Sequence, residues 1–418
     1  MNNEYVFAHL TVILFIAALS GLLLARFRQP VMLGYILAGV IFGPCGYGYM
    51  SSLEQIKFYS DLGIILLLFV IGMEINIKSF LKMWKIPTFF TAIQILINVI
   101  IAVLCANFLD VSIYASLLAA FIISLSSTAT IVKVLEYIGE LRTDVGHISI
   151  GVLIAQDIAV VPMMLVIKQC NGGIFNISML LDLAMAVLLV FVLIRYIGRS
   201  EGIKLPLRDL ISTPDLTPVV TLGLCFTSAS LVVFLGLSEA YGAFLAGLFI
   251  GNTRERQHIM ASIKPIQDVL LMVFFLSVGL MFDLNFLIKN WILVIGTLLF
   301  ATVWKVISNT VILRKFSIEL AKASSIGIIL AQLGEFSLIL SNVAISSNII
   351  DIHGQKLIVC VTALSLSISP FFIALSTRTK NLSFVGDNSL FSVMKIIFSG
   401  KFAKEVRNLV TKSSQLKD

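Results

Sequence analysis

Hydrophobic residues along this chain come in long, almost unbroken runs, separated by short stretches that hold most of the charged residues. A helix needs about 20 consecutive apolar residues to cross the hydrocarbon core of a bilayer. Runs of roughly 17 to 25 residues predict about thirteen spans, with a short ninth, near 5–25, 31–48, 60–77, 87–108, 113–135, 148–168, 177–197, 216–236, 239–252, 265–285, 291–313, 322–345 and 354–376. The pattern therefore predicts an all-α polytopic membrane protein.

The basic residues give this topology a direction. Most of the 30 Lys and Arg residues fall in the loops after the odd-numbered spans and in the tail after the last span, whereas the opposite loops hold only Lys57, Lys168, Lys289 and Lys356. Cytoplasmic loops are enriched in Lys and Arg, which predicts an N-terminus outside and a cytoplasmic C-terminus. The net charge of +7 then reflects membrane orientation, and we expect no nucleic-acid partner.

Two glycine patterns recur at nearly the same offset along the chain. Gly34–Gly43 returns as Gly242–Gly251, 208 residues later, and Asp61–Gly72 returns as Asp268–Gly279, 207 residues later. Because the two copies begin on opposite sides of the membrane, we interpret them as inverted repeats, an architecture of many secondary transporters. The predicted organisation is a transmembrane domain over 1–376, with repeat 1 at about 5–168, a linker helix at 177–197 and repeat 2 at about 216–376.

One carboxylate, Asp157, lies in the middle of an apolar span, with the amide of Gln156 beside it. An ionised Asp at the bilayer centre costs about 3 kcal/mol on insertion scales, so such residues usually face the bundle interior and mark an ion or proton path. The alternative is a buried carboxylate held in a structural hydrogen bond. We favour the functional interpretation, in which Asp157 and Gln156 bind the transported ion.

Two polar stretches interrupt apolar spans at mid-span. Ser124–Thr130 is rich in hydroxyl groups, and the repeat offset maps it onto Leu333–Ser337. Each can unwind locally, because backbone groups freed by a broken helix are tolerated where they line a cavity. We predict discontinuous helices there, with ion ligands at Ser127, Thr128 and Thr130, and with Glu335 balancing the positive half-helix ends. The alternative is an unbroken helix whose hydroxyls bond back to the preceding turn.

Lys305 lies near the predicted midplane of its span, about 13 Å from Arg314 at 1.5 Å per residue. A buried ammonium requires a partner, and we expect a salt bridge to Asp157. The alternative is that the Lys305 side chain extends to the headgroups.

Several short motifs occur in the order of a known transporter family, namely Leu33–Gly39 with Gly43–Pro44, Leu68–Gly72, Leu125–Ala129, Gln156–Asp157, Gly242–Gly247, Phe274–Gly279 and Gly334–Phe336. On these motifs, over about residues 5–376, the chain resembles the monovalent cation:proton antiporter-2 family. It is nearest to the glutathione-gated potassium efflux antiporters, which have a Na⁺/H⁺ exchanger-like membrane domain.

The resemblance implies a thirteen-helix fold, in which spans 4–6 and 11–13 form a transport core. That core would slide against a dimerisation scaffold of spans 1–3 and 8–10, so the resemblance implies a homodimer. It also implies that Asp157 is shared by proton and cation, and that Lys305 pairs with it in the ion-free state. The Gln156-Asp157 pair resembles the potassium branch, whereas Asp-Asp or Asn-Asp at this position is mostly found in sodium exchangers.

The sequence thus predicts an antiporter that exchanges K⁺ or Na⁺ for H⁺ across the bacterial inner membrane, by an elevator-type mechanism. The alternative is a symporter of a small organic anion on a similar fold; a channel is disfavoured because no Gly-rich filter is present. We expect no enzyme activity and no cofactor, since no hydrolase, metal or nucleotide motif occurs. The potassium efflux members carry a nucleotide-binding regulatory domain. The 377–418 tail is basic and lacks a G-x-G-x-x-G motif, so regulation by nucleotides or glutathione adducts stays open.

Overall fold

A computed structural model describes residues 3–26, 31–43, 53–75, 84–109, 111–169, 177–199, 216–234 and 237–368, with four isolated positions between them. These residues form sixteen α-helices and no β-strand. In chain order the helices are α1 (Asn3–Arg26), α2 (Val31–Phe42), α3 (Leu53–Glu74), α4 (Lys85–Leu109), α5 (Ile113–Ser124), α6 (Thr128–Tyr137), α7 (Asp144–Gln169), α8 (Ile177–Arg199), α9 (Thr217–Val233), α10 (Glu239–Ile250), α11 (Arg256–Met281), α12 (Leu284–Lys289), α13 (Trp291–Lys315), α14 (Leu320–Ile329), α15 (Phe336–Ser346) and α16 (Ile352–Ser367).

The predicted all-helical membrane fold is confirmed. Four helices are long and apolar enough to cross a bilayer, namely Lys85–Ala106 of α4 together with α7, α11 and α13. Ten shorter apolar segments accompany them in the described part of the chain. The count of thirteen spans stays a prediction, and the tail at 377–418 lies outside the described residues.

The helices fall into two compact units. The first unit comprises 1–84, 157–290 and 338–360, and the second comprises 85–156, 291–337 and 361–418. Helix α7 continues through the division without interruption, so that Gln156 belongs to the second unit and Asp157 to the first.

Reciprocal glycine packing holds the first unit together. A Cβ atom placed on Gly39 of α2 would lie 2.7 Å from the Cα of Gly279 in α11. A Cβ atom placed on Gly247 of α10 would lie 2.8 Å from the carbonyl carbon of Phe69 in α3. Small residues allow helix backbones to approach this closely. In both contacts, a helix of one predicted repeat lies against a helix of the other.

Two helix interruptions lie in the second unit. The α5 helix begins at a cap in which the Ala115 amide donates to the Ser112 side chain, and it ends at Ser124. Helix α6 starts again at Thr128. The chain is likewise non-helical between α14 and α15. Both predicted interruptions are therefore confirmed, and an apolar core that includes Ile131, Leu313 and Ile326 surrounds them.

Candidate ion-coupling site

The two non-helical segments, residues 125–127 and 330–335, meet inside the second unit. The hydroxyl of Ser126 donates to the carbonyl oxygen of Leu330 at 2.8 Å. A Cβ atom placed on Gly334 would lie only 2.7 Å from the carbonyl oxygen of Ser126, so the two backbones touch. Ser126 and Gly334 are 208 residues apart, which is the offset of the first glycine repeat. Equivalent positions of the two predicted repeats thus meet where the broken helices cross.

Lys305 lies at this crossing and is completely buried. Its Nζ donates to the carbonyl oxygen of Leu125, to the hydroxyl of Ser126 at 3.1 Å and to the carbonyl oxygen of Gln332 at 3.0 Å. An ammonium has three N–H donors, so these three oxygens match its full donor capacity.

The position of Lys305 also has an electrostatic consequence. The carbonyls of Leu125 and Gln332 lie just beyond the C-terminal ends of α5 and α14, and such ends carry partial negative charge. Lys305 therefore places a positive charge at two negative half-helix ends. Sequence reasoning missed these contacts, although both broken helices and a mid-span Lys had been recognised.

Glu335 lies at the opposite pair of half-helix ends. It directly precedes α15, and its Oε2 accepts a hydrogen bond from the Ser127 hydroxyl at 2.9 Å. Ser127 precedes α6, and it accepts from the Thr130 backbone amide at 3.4 Å, as an N-cap residue does. Because the single Ser127 proton goes to Glu335, the Thr130 hydroxyl, 2.9 Å away, donates to Ser127. A carboxylate near two helix N-termini is electrostatically favourable. The charge-balancing role of Glu335 stays a prediction.

The remaining predicted site residues are buried or half-buried. Asp157 lies in the middle of α7 with 5% of its surface exposed, and Gln156 beside it has 1% exposed. Thr128 is half-buried and starts α6. Since Asp157 and Lys305 are assigned to different units, their salt bridge stays a prediction.

The described residues form a bundle of apolar helices in which two broken helices cross. Buried charges and hydroxyl groups lie at the crossing, as at the substrate sites of many secondary transporters. This combination defines a polytopic membrane transporter and not an enzyme. The chain matches the family described as "Sodium/hydrogen exchanger, transmembrane" over residues 12–376. It therefore belongs to the sodium/hydrogen exchanger family.

Two relatives match over most of this chain. The chain is 36% identical over 405 residues to the iron transporter MagA of Paramagnetospirillum magneticum, with 95% of this chain and 93% of that protein covered. It is 28% identical over 383 residues to K(+) efflux antiporter 5 of Arabidopsis thaliana, with 89% of this chain and 67% of that protein covered.

A solved structure supports the fold. The sodium proton antiporter MjNhaP1 of Methanocaldococcus jannaschii at pH 8 superposes with a TM-score of 0.67 at 16% identity. The match covers 96% of this chain and 100% of the solved one. The superposition shows the fold. The family identifies a cation/proton antiporter, which needs no cofactor because the ions are the substrates.

Proposed function

We propose that this protein exchanges K⁺ or Na⁺ for H⁺ across the bacterial inner membrane, and that Asp157 binds the cation and the proton in turn. The observation that carries the proposal is the crossing in the second unit, where Lys305 and Glu335 lie at opposite pairs of half-helix ends. Lys305 and Glu335 balance the partial charges of the half-helix ends beside the buried hydroxyls of Ser127 and Thr130. We assign Gln156, Ser127, Thr128 and Thr130 as the oxygen donors that accompany Asp157.

The transport cycle follows from a single titrating carboxylate. A cation binds deprotonated Asp157 on one side of the membrane, and a proton replaces it on the other side. In the ion-free state Lys305 pairs with Asp157, which requires its Nζ to give up at least one of the three oxygens that it contacts at the crossing. Because the neighbouring residue is Gln156 and not a second acid, we expect one proton to exchange for one cation without net charge transfer. An electrical potential clamped with valinomycin should therefore leave the Na⁺-driven rate unchanged.

Alternating access would come from an elevator-type movement. The grouping of the helices into two compact units supports this idea. We assign spans 4–6 and 11–13, which include all of α7 and therefore Asp157, as the moving core in a homodimer. We place the N-terminus outside and the C-terminus in the cytoplasm, following the distribution of basic residues.

Two observations favour K⁺ among the candidate cations. One is the Gln156-Asp157 pair, and the other is the potassium efflux activity in the name of the plant relative. Because MagA is named an iron transporter, Fe²⁺ should be included among the ions that are tested. Among the described residues, no group of three or more His, Cys, Asp or Glu side chains is arranged to hold a metal ion.

The decisive experiment measures proton movement in proteoliposomes that carry imposed gradients of K⁺, Na⁺, Rb⁺, Li⁺ or Fe²⁺. Asp157→Asn keeps the size of the side chain and removes its charge, so exchange should be lost while the protein stays folded. The matched control is Asp144→Asn, because Asp144 starts the same helix but its side chain is 73% exposed and pairs with Lys322 at 2.9 Å. Near wild-type exchange by Asp157→Asn would refute the assignment.

A further inference from the structure

Three buried amide side chains form a continuous hydrogen-bonded chain in the second unit. They are Gln94 on α4, Gln156 on α7 and Asn309 on α13, with 0%, 1% and 0% of their surface exposed. The Nε2 of Gln94 donates to the Oδ1 of Asn309 at 2.8 Å. The Nε2 of Gln156 donates to the Oε1 of Gln94 at 2.9 Å. The middle residue, Gln94, thus holds Gln156 on one side and Asn309 on the other.

The direction of this chain determines which end of the Gln156 amide is available. A carboxamide has one oxygen acceptor and one NH₂ donor. Since Gln94 uses its NH₂ group on Asn309, it presents its oxygen to Gln156, which must answer with its own NH₂ group. The two ends of the chain, the Oε1 acceptor of Gln156 and the Nδ2 donor of Asn309, are consequently left buried without a protein hydrogen bond.

A buried acceptor of this kind requires an explanation. Leaving a polar atom unpaired inside a protein is costly, and a bound water or ion is one of the explanations for such an atom in a native structure. The oxygen belongs to the residue that directly precedes Asp157 in α7. Amide oxygens are suitable ligands for hard cations, as in carbonyl-lined K⁺ sites.

We propose that Gln94 is a positioning residue for cation binding, and that it holds the Gln156 amide so that its oxygen, and not its NH₂ group, is offered to the ion. The inference rests on the proposed function and names how that site is organised. Asn309 anchors Gln94, and it lies one helical turn beyond Lys305 on α13. A flipped Gln156 would direct the positive end of its dipole at the cation and weaken binding.

The test is Gln94→Leu, which removes both hydrogen bonds at nearly constant size. In K⁺-driven proton exchange, the apparent KM for K⁺ should rise about tenfold, as expected when about 1.4 kcal/mol of binding free energy is lost. The maximal rate should stay within about twofold, because the Asp157 carboxylate is intact. Asn309→Ala leaves Gln94 in place without its anchor, so a smaller rise of about threefold is expected.

The matched control is Asn98→Leu. Asn98 lies one turn beyond Gln94 on α4, is 4% exposed, and bonds to Ser124 at 2.8 Å and to Trp304 at 2.7 Å. Its loss removes two buried hydrogen bonds of similar quality but none to Gln156. It should lower the melting temperature without raising the KM for K⁺.

A double-mutant cycle separates positioning from a general structural effect. If Gln94 acts through Gln156, Gln94→Leu should leave the KM unchanged in a Gln156→Leu background. An unchanged KM in the single variant, or an equal rise in both backgrounds, would overturn the inference. If Gln94→Leu does not fold, an unchanged KM in Asn309→Ala would likewise overturn the inference. Failure of the wild-type protein to exchange any cation would instead reject the proposed function.

Discussion

The crossing of the broken helices depends on the absence of a side chain at Gly334. A Cβ atom at this position would lie 2.7 Å from the Ser126 oxygen, 2.8 Å from the Ser126 carbonyl carbon and 3.2 Å from the Ser127 nitrogen. All three atoms belong to backbone, so no side chain can turn away to make room. In Gly334→Ala the two segments must separate by about 0.7 Å to reach ordinary contact at 3.4 Å.

The cost of this separation has two parts. Overpacking in a well-packed interior costs about 1–3 kcal/mol, and weakening the hydrogen bond from Ser126 to Leu330 costs about 1 kcal/mol more. A total near 3 kcal/mol should lower the melting temperature by about 3 °C for a chain of 418 residues. The hydrogen bonds of Lys305 span the same gap, so the rate of exchange should fall as well.

The assay is thermal unfolding of purified protein in detergent, followed by intrinsic fluorescence and combined with proteoliposome exchange. Gly296→Ala is the matched control, since Gly296 lies in α13 of the same unit and a Cβ atom there meets nothing within 4 Å. Its effect should be zero or stabilising by up to about 1 kcal/mol, because Ala favours helix more than Gly. Equal melting temperatures for the two variants would refute the close crossing.

Two further predictions concern the same crossing. Glu335→Gln keeps an oxygen that can accept from Ser127 but removes the charge at two helix N-termini. The free energy of unfolding should therefore fall by about 1–2 kcal/mol, and transport should slow. A shifted pH optimum at unchanged stability would instead indicate that Glu335 is a second titrating carboxylate. Thr128→Val should raise the KM for the cation with little effect on stability. Ser127→Ala should raise the KM as well and should lower the free energy of unfolding by about 1 kcal/mol, because Ser127 caps α6. An unchanged KM in both variants would show that these hydroxyls do not bind the ion.

Sequence patterns located the broken helices because polar residues are rare in apolar spans. The repeat offset then connected the Ser124–Thr130 stretch with the stretch at Glu335. The contacts of Lys305 were not predictable in this way, because two of its three acceptors are backbone carbonyls, which carry no sequence signal.

The hydrogen-bonded chain of Gln94, Gln156 and Asn309 was predictable from the sequence only in part. Gln94 and Asn98 are polar residues four positions apart in an apolar span, and this spacing places them on one face of a helix. That signal marks a polar face of α4. The partners of Gln94 on α7 and α13 become visible only when the helices are packed together.

The glycine contacts of the first unit make the two predicted repeats depend on each other. Gly39 of predicted repeat 1 lies against Gly279 of predicted repeat 2, and Gly247 of repeat 2 lies against Phe69 of repeat 1. A fragment that held one predicted repeat alone would leave its side of both contacts uncovered. The close helix packing of the first unit therefore requires sequence from both ends of the chain.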